Sequence, residues 1–316
     1  MMSLKTLYRT AGLAMLVAFA VWIGLSLLWA PAYMVAAPIN PVTEDPGSRG
    51  LAFENVEIPS NALSAPLQAW WIPAASPRAT LIFVHGAGSN RTSSYIGCLD
   101  FYKTLNALDI SVLTLDLRNH GNSPRTDSVL RMGLQEWADV AAASEWLDTQ
   151  HPHTTPRLIL GASMGGSVVV HAADHGVRAD GLVLFDPQLD VRDSLIQGGE
   201  IVTGFPAFLF SLAAPATIRR YELPDGDNSP LRLAEQLRLP ILLIQDWDDP
   251  VTRAPFAAQL AARNPQVTLA RAPAVPLDSP CIAGKERWGS HVAAHECHPD
   301  WTRETIEDFL GSLTAL

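Results

Sequence analysis

The sequence predicts an α/β protein with a mostly parallel central sheet, helices on both of its faces and a single membrane-spanning helix ahead of it. Three observations carry that expectation. Short, continuous apolar runs recur from residue 80 onward, as strands buried on both faces of a parallel sheet do. Stretches with apolar residues at helical spacing lie between them, and such alternation builds a sheet layered by helices. Ahead of both, no charged residue occurs between Arg9 and Glu44. A chain of 316 residues has room for that leader and one α/β domain of ordinary size.

Within the uncharged leader, AGLAMLVAFAVWIGLSLLWA (11–30) is apolar except for Gly12, Gly24 and Ser26. As a helix these residues span roughly 30 Å, the thickness of a bilayer's hydrocarbon core. Lys5 and Arg9 precede the stretch, and the next basic residue is Arg49. The positive-inside rule therefore leaves residues 1–10 in the cytoplasm, makes 11–30 a signal anchor and exports the rest, to the periplasm if the chain is bacterial. A cleaved signal peptide competes, with small residues at Ala30, Ala32, Ala36 and Ala37, although its apolar core is usually shorter. A buried core helix is the third reading. Residues 31–50, with four prolines and two glycines, suit an extended tether.

The domain then occupies 51–316. LAFENVEI (51–58) and LQAWWIP (67–73) read as an opening antiparallel pair. TLIFV (80–84), SVLTLDL (111–117), RLILGA (157–162), GLVLFD (181–186), PILLIQD (240–246) and VTLARA (267–272) read as parallel strands. Helical faces are formed by Tyr95, Leu99, Tyr102 and Leu105, by Trp137, Val140, Ala141, Ser144 and Leu147, and by Trp301, Ile306, Phe309 and Leu310. Residues 187–235 are too long for a simple crossover and predict a small helical cap, with an ordinary helix and a long loop as the alternative.

A net charge of −10 without a long Lys/Arg cluster argues against a nucleic-acid partner. The chemistry concentrates instead in LGASMGGSVVV (160–170), where Ser163 stands among Gly161, Gly165 and Gly166 as a strand gives way to a helix. A sharp turn there strains the serine backbone and leaves no room for bulky neighbours, which is how a nucleophilic serine is presented. The bland alternative is a small residue that lets helix and sheet approach.

Four blocks in order extend the pattern: HGAGSNR (85–91), DLRNHGNS (116–123), Gly161-Ala162-Ser163-Met164-Gly165, and the pair IQDWDDPV (244–251) with GSH (289–291). In these blocks the chain resembles the α/β-hydrolase family over roughly 50–316. A serine hydroxyl needs a base to act at neutral pH, histidine is suited to taking and returning the proton, and a carboxylate orients the imidazole. The family order of nucleophile, acid and base implies Ser163, Asp249 and His291. The family often has His-Gly where this chain has Gln245-Asp246. The acid therefore stays open to Asp186, which ends the preceding strand, and to the nearby Asp246 and Asp248. His295 is the alternative base. The resemblance implies an oxyanion hole from the backbone N–H groups of Ala87 and Met164, worth on the order of 3 kcal/mol each. His85 and His120 would hold the motif turns together, and His151, His153, His171 and His175 read as surface or helix-packing residues. The run His291, His295, His298 brings no clearly placed carboxylate, so no metal is expected, and no cofactor is implied.

Cys98, Cys281 and Cys297 are an odd number for an exported domain. A Cys281–Cys297 bridge around the His291 loop, with Cys98 a buried thiol within a helix, is the expectation, and three buried free thiols the alternative. The resemblance implies a serine hydrolase cleaving a carboxylic ester, on a small-molecule or acyl substrate. A peptidase of short peptides and a non-catalytic exported binding protein remain as alternatives.

Overall fold

Apolar runs become eight strands: β1 (Glu54–Ile58), β2 (Leu67–Ile72), β3 (Ala79–Val84), β4 (Ile110–Leu115), β5 (Arg157–Ala162), β6 (Gly181–Phe185), β7 (Ile241–Gln245) and β8 (Val267–Arg271). They form one sheet in the order β1-β2-β4-β3-β5-β6-β7-β8, parallel from β4 to β8 and antiparallel at β1/β2 and β2/β4. The computed structural model of the chain describes residues 4–93, 96–152 and 155–314. Tyr95 and His153 lie outside the described residues.

Every residue of β3 to β7 is buried, because helices cover both faces. The helices in chain order are α1 (Leu4–Gly24), α2 (Ala30–Met34), α3 (Cys98–Ala107), α4 (Trp137–Gln150), α5 (Met164–Asp174), α6 (Val191–Thr203), α7 (Ala213–Tyr221), α8 (Pro230–Ala234), α9 (Ala254–Arg263), α10 (Ala294–Cys297) and α11 (Pro299–Thr314). Leu81, Phe83, Leu160 and Phe185 pack against α3 and α11, while Ile82, Val84, Ile159 and Leu184 pack against α4, α5 and α9. VTLARA was read from sequence as another buried parallel strand; β8 is instead the sheet's edge and only partly covered. Residues 187–235, the segment expected as the cap, insert α6, α7 and α8 between β6 and β7, and Asp190 caps α6 by accepting the Asp193 N–H at 2.7 Å.

The leader departs most from its sequence reading. A π-type turn (Leu25–Trp29) joins α1 to α2, so one continuous helix runs beyond residue 30 to Met34. Its apolar window covers Tyr8–Met34 with mean hydropathy 2.3, long enough to cross a bilayer. Part of the stretch expected as an extended tether is strapped onto the domain. Val35 is fully buried, Ala36 pairs with Val129, and the Ala37 N–H donates to Ser128 O at 2.8 Å. The Arg125 guanidinium holds Ala37 O, and the Asn90 amide holds Asn40 O and Pro41 O. Proline keeps this stretch extended, and side-chain donors of the domain take its carbonyls.

His171 on α5 is wholly buried, and neither ring nitrogen meets a partner among the described residues. Burial, and then the charge of His175, lower its pKa to about 4. An imidazole depressed on folding contributes stability above its unfolded pKa and loses it as the pH falls toward the folded one. His171→Leu should therefore gain about 2 kcal/mol on the parent protein between pH 7 and pH 4.5, read from urea midpoints at each pH. A constant difference across that range would show that His171 binds protons equally well folded and unfolded.

Candidate active site

The parallel register aligns the strand ends. Val84 pairs with Gly161, Ala162 with Phe185, and Phe185 with Ile244. The chain therefore leaves β3, β5, β6 and β7 at one edge, where α/β sheets gather their ligands. Ser163 sits at this edge with φ 53° and ψ −121°, a conformation that costs a non-glycine residue about 1–3 kcal/mol. Its N–H donates to Phe185 O at 3.0 Å, and its carbonyl accepts from the amides of Gly166 and Gln188, both at 2.9 Å. The flanking glycines are sterically required. A Cβ on Gly161 would lie 2.2 Å from Gly165 O, one on Gly165 2.3 Å from Val84 O, and one on Gly166 2.5 Å from the Pro187 Cβ.

His291 reaches Ser163 from the loop before α10. Its Nε2 is 2.9 Å from Ser163 Oγ, and its Nδ1 is 2.7 Å from Asp249 Oδ2. Asp249 already accepts the N–H groups of Val251 and Thr252 and the Thr252 hydroxyl, at 2.7–2.8 Å. It meets the imidazole as an acceptor, so Nδ1 carries the proton and Nε2 is left to accept from the serine. Asp249 and His291 are both buried; Ser163 is half-buried.

The alternatives fall elsewhere. Asp186, at φ 41°, spends its carboxylate on the N–H groups of Asp246 (2.7 Å) and Val292 (3.0 Å) rather than on the imidazole. It thereby ties the loop of Asp249 to the loop of His291. Burial, and then the charge of Asp249, hold its pKa well above the usual carboxylate range. Asp246 accepts the Asp248 N–H. His295, the alternative base, is buried against Phe101, with its Nε2 3.0 Å from Thr104 Oγ1. Burial lowers its pKa to about 4. Both His291 nitrogens are thus engaged by Ser163 and Asp249, and His295 Nε2 by Thr104.

The loop after β3 closes the other side, and a Cβ on Gly86 would come within 3.1 Å of the Ser163 Cβ. Two buried histidines shape this loop. His85 Nε2 accepts the Leu117 N–H at 3.1 Å, and His120 Nε2 accepts the Gly88 N–H at 3.2 Å. Burial keeps both neutral, with pKa values of about 4 and about 3. Asp116 anchors the loop from beneath by accepting the Arg91 amide (2.8 Å), the Arg91 guanidinium (2.7 Å) and the Asn122 amide (2.8 Å). A Cβ on Gly121 would strike the Asp116 carboxylate at 2.1 Å, so the Asp-x-Arg-x-His-Gly motif is a fastening for the loop. Ala87 lies in this loop. Met164 opens α5, where its N–H is an orphan donor of the first turn.

Ser163, His291, Ala87 and Met164 border a cavity of about 530 Å³. Leu195, Val202 and Phe210 of the cap line it, and so do Trp29, Tyr33 and Met34 of the leader helix. Among the described residues that line it there is no Asp, Glu, Lys or Arg. Sequence reasoning missed the leader's share, since nothing in an apolar helix distinguishes a lipid-facing turn from a pocket wall.

The sheet order and the serine turn define a class, the α/β hydrolases. Sequence comparison agrees: the model of the alpha/beta hydrolase family matches residues 81–311, and the chain belongs to that family. It is similar to the lysophosphatidylserine lipase ABHD12 of Macaca fascicularis and of Mus musculus, 25% identical over 191 residues in each case. Those matches cover 58% of this chain and 45% of the relative, so the chain spans about half the length of the curated relatives it matches. Among solved structures, the Pyrococcus furiosus esterase Pf2001 shares the fold with a TM-score of 0.70 and 21% identity, over 88% of this chain and 98% of that one. The family is thus shown by the sequence, and the fold by its likeness to a solved esterase.

One covalent link frames the His291 loop. Cys281 and Cys297 are bridged across 16 residues, and Cys98 is a buried free thiol at the start of α3. Closing such a loop contributes about 3 kcal/mol. Thiol titration in denaturant without reductant should find one reactive cysteine per chain, and three would show that no bridge forms.

Proposed function

We propose that this protein is a membrane-anchored serine hydrolase that cleaves a carboxylic ester with an apolar, lipid-like acyl group. The observation that carries the reading is the imidazole of His291, spaced for hydrogen bonding to Ser163 on one side and Asp249 on the other. Ser163 Oγ attacks the ester carbonyl carbon while His291 Nε2 takes its proton. Asp249, accepting from Nδ1–H, stabilises the imidazolium that forms. The carbonyl oxygen becomes an oxyanion held by the Ala87 and Met164 amides. His291 then gives the proton to the leaving alkoxide, and water, activated by the same imidazole, releases the acid from Ser163.

The uncharged cavity favours an ester over a peptide, whose termini would call for a charged partner. The lipase named among the relatives supports a lipid-like acyl group. In this reading residues 1–10 stay in the cytoplasm, 11–30 form the anchor and 51–316 form the exported hydrolase domain, with 187–235 as its cap. The Cys281–Cys297 bridge suits that oxidising side.

The full chain is the right material for a test, because Trp29, Tyr33 and Met34 border the cavity. Hydrolysis of p-nitrophenyl esters of increasing acyl length should favour the longer chains and vanish in Ser163→Ala. Asp249→Asn should retain the fold and lose about 10⁴-fold in kcat. Equal rates for the parent and Ser163→Ala would overturn the reading.

A further inference from the structure

The leader helix and the cap meet outside the reacting centre. From Trp22 onward one face of the helix rests on the cap: Trp22 Nε1–H donates to Leu209 O at 2.9 Å, Ser26 and Ala30 are buried, and the Arg220 guanidinium reaches Leu28 O at 3.3 Å. Beside this contact runs GFPAFLFSL (204–212), a cap segment without a charged residue. Phe205 and Phe208 stand 62% and 68% exposed on it. Neither borders the cavity, so packing on the substrate does not account for them.

The depth of this segment follows from the helix. A bilayer's hydrocarbon core takes about 20 residues, and counted from the last charge at Arg9 that reaches Trp29. Trp22 lies seven residues earlier, about 10 Å further into the apolar layer at 1.5 Å per residue. The cap carbonyl bonded to Trp22 is carried to a similar level, the depth at which interfacial elements settle. The segment is built for such a place, where water is absent and every amide needs an internal acceptor. The N–H of Phe205 donates to Thr203 Oγ1, that of Ala207 to the Glu200 carboxylate, that of Leu209 to Pro206 O and that of Ser211 to Phe208 O. Exposed Arg219 and Arg220 end α7 near Leu28, where lipid phosphates would lie.

We propose that cap residues 204–212 insert into the bilayer beside the leader helix, and that the cavity mouth between Trp29, Tyr33 and Val202 opens onto the boundary between headgroups and acyl chains. The proposal rests on the anchored-hydrolase reading and deepens it. The ester substrate enters sideways from the membrane, acyl chain first, without crossing water. Trp29 and Tyr33, stacked with ring centroids 5.1 Å apart, form the membrane-side jamb of that mouth.

The experiment uses the full chain in phosphatidylcholine vesicles. Phe208→Cys supplies the accessible thiol, since Cys98 is buried and the other cysteines are bridged, and it carries an NBD fluorophore. Gln150→Cys, at the end of α4 and at the opposite edge of the sheet from Ser163, carries the same label as a control. Nitroxide on the upper acyl chain of the lipid should quench the label at 208 about threefold more than the label at 150. Equal quenching overturns the proposal. So does a label at 208 that escapes the nitroxide and brightens only as protein density in the vesicle rises, which assigns the patch to a second copy of the chain. In unlabelled protein, Phe205→Asp with Phe208→Asp should lower hydrolysis of a long-chain monoacyl ester in those vesicles about tenfold and leave p-nitrophenyl butyrate in the water phase unchanged. Unchanged rates on both substrates overturn lateral entry. If the parent protein cleaves neither ester, the hydrolase reading fails while the quenching still decides insertion.

Discussion

The site depends on how closely helix α5 can approach the sheet. Three positions without a Cβ, at 161, 165 and 166, allow backbone to meet backbone across β5, α5 and the loop after β6. That approach forces Ser163 into its positive-φ turn and aims its hydroxyl along the edge of the sheet. The strain is small beside the burial energy of strands whose every residue lies in the core, so the fold sustains it readily. Once the serine is fixed, parallel register brings the other parts to it. The loops after β3, β6 and β7 leave at the same level, and Asp186 joins the last of them to the segment carrying His291.

The leader helix belongs to this arrangement. A membrane helix joined by a free tether would leave substrate access to diffusion. Here the strapped residues 35–41 and the seam between Trp22 and Leu209 hold helix, cap and cavity as one body. The uncharged cavity then continues an apolar surface that begins in the leader. The buried ion pairs Arg118–Asp139 and Arg91–Asp116 fasten the motif loops, and none of their four side chains lines the cavity.

Much of this was legible in the sequence because the controlling patterns are local. The strands β3 to β7 announce themselves as continuous apolar runs, and Gly-x-Ser-x-Gly states its steric requirement within five residues. Choosing Asp249 over Asp186 was harder, since both follow buried strands, and only the three-dimensional path of the loop shows which carboxylate faces the imidazole. The edge position of β8 was hidden because an apolar run does not say how many neighbours it has. The strap was hidden too. Proline and glycine mark an extended chain, but the donors that capture it, Asn90 and Arg125, lie about 50 and 90 residues away in sequence. The burial of His295 likewise follows from its packing on α3, far earlier in the chain.

The assignment of Ser163 as a nucleophile activated by His291 is tested most directly by covalent capture. The intact full chain would be treated with a fluorophosphonate and the modified peptide located by mass spectrometry, in parallel with His291→Ala. The arrangement predicts one adduct, on Ser163, formed orders of magnitude more slowly without the imidazole. An adduct on another residue, or labelling of Ser163 at the same rate in both proteins, would contradict it.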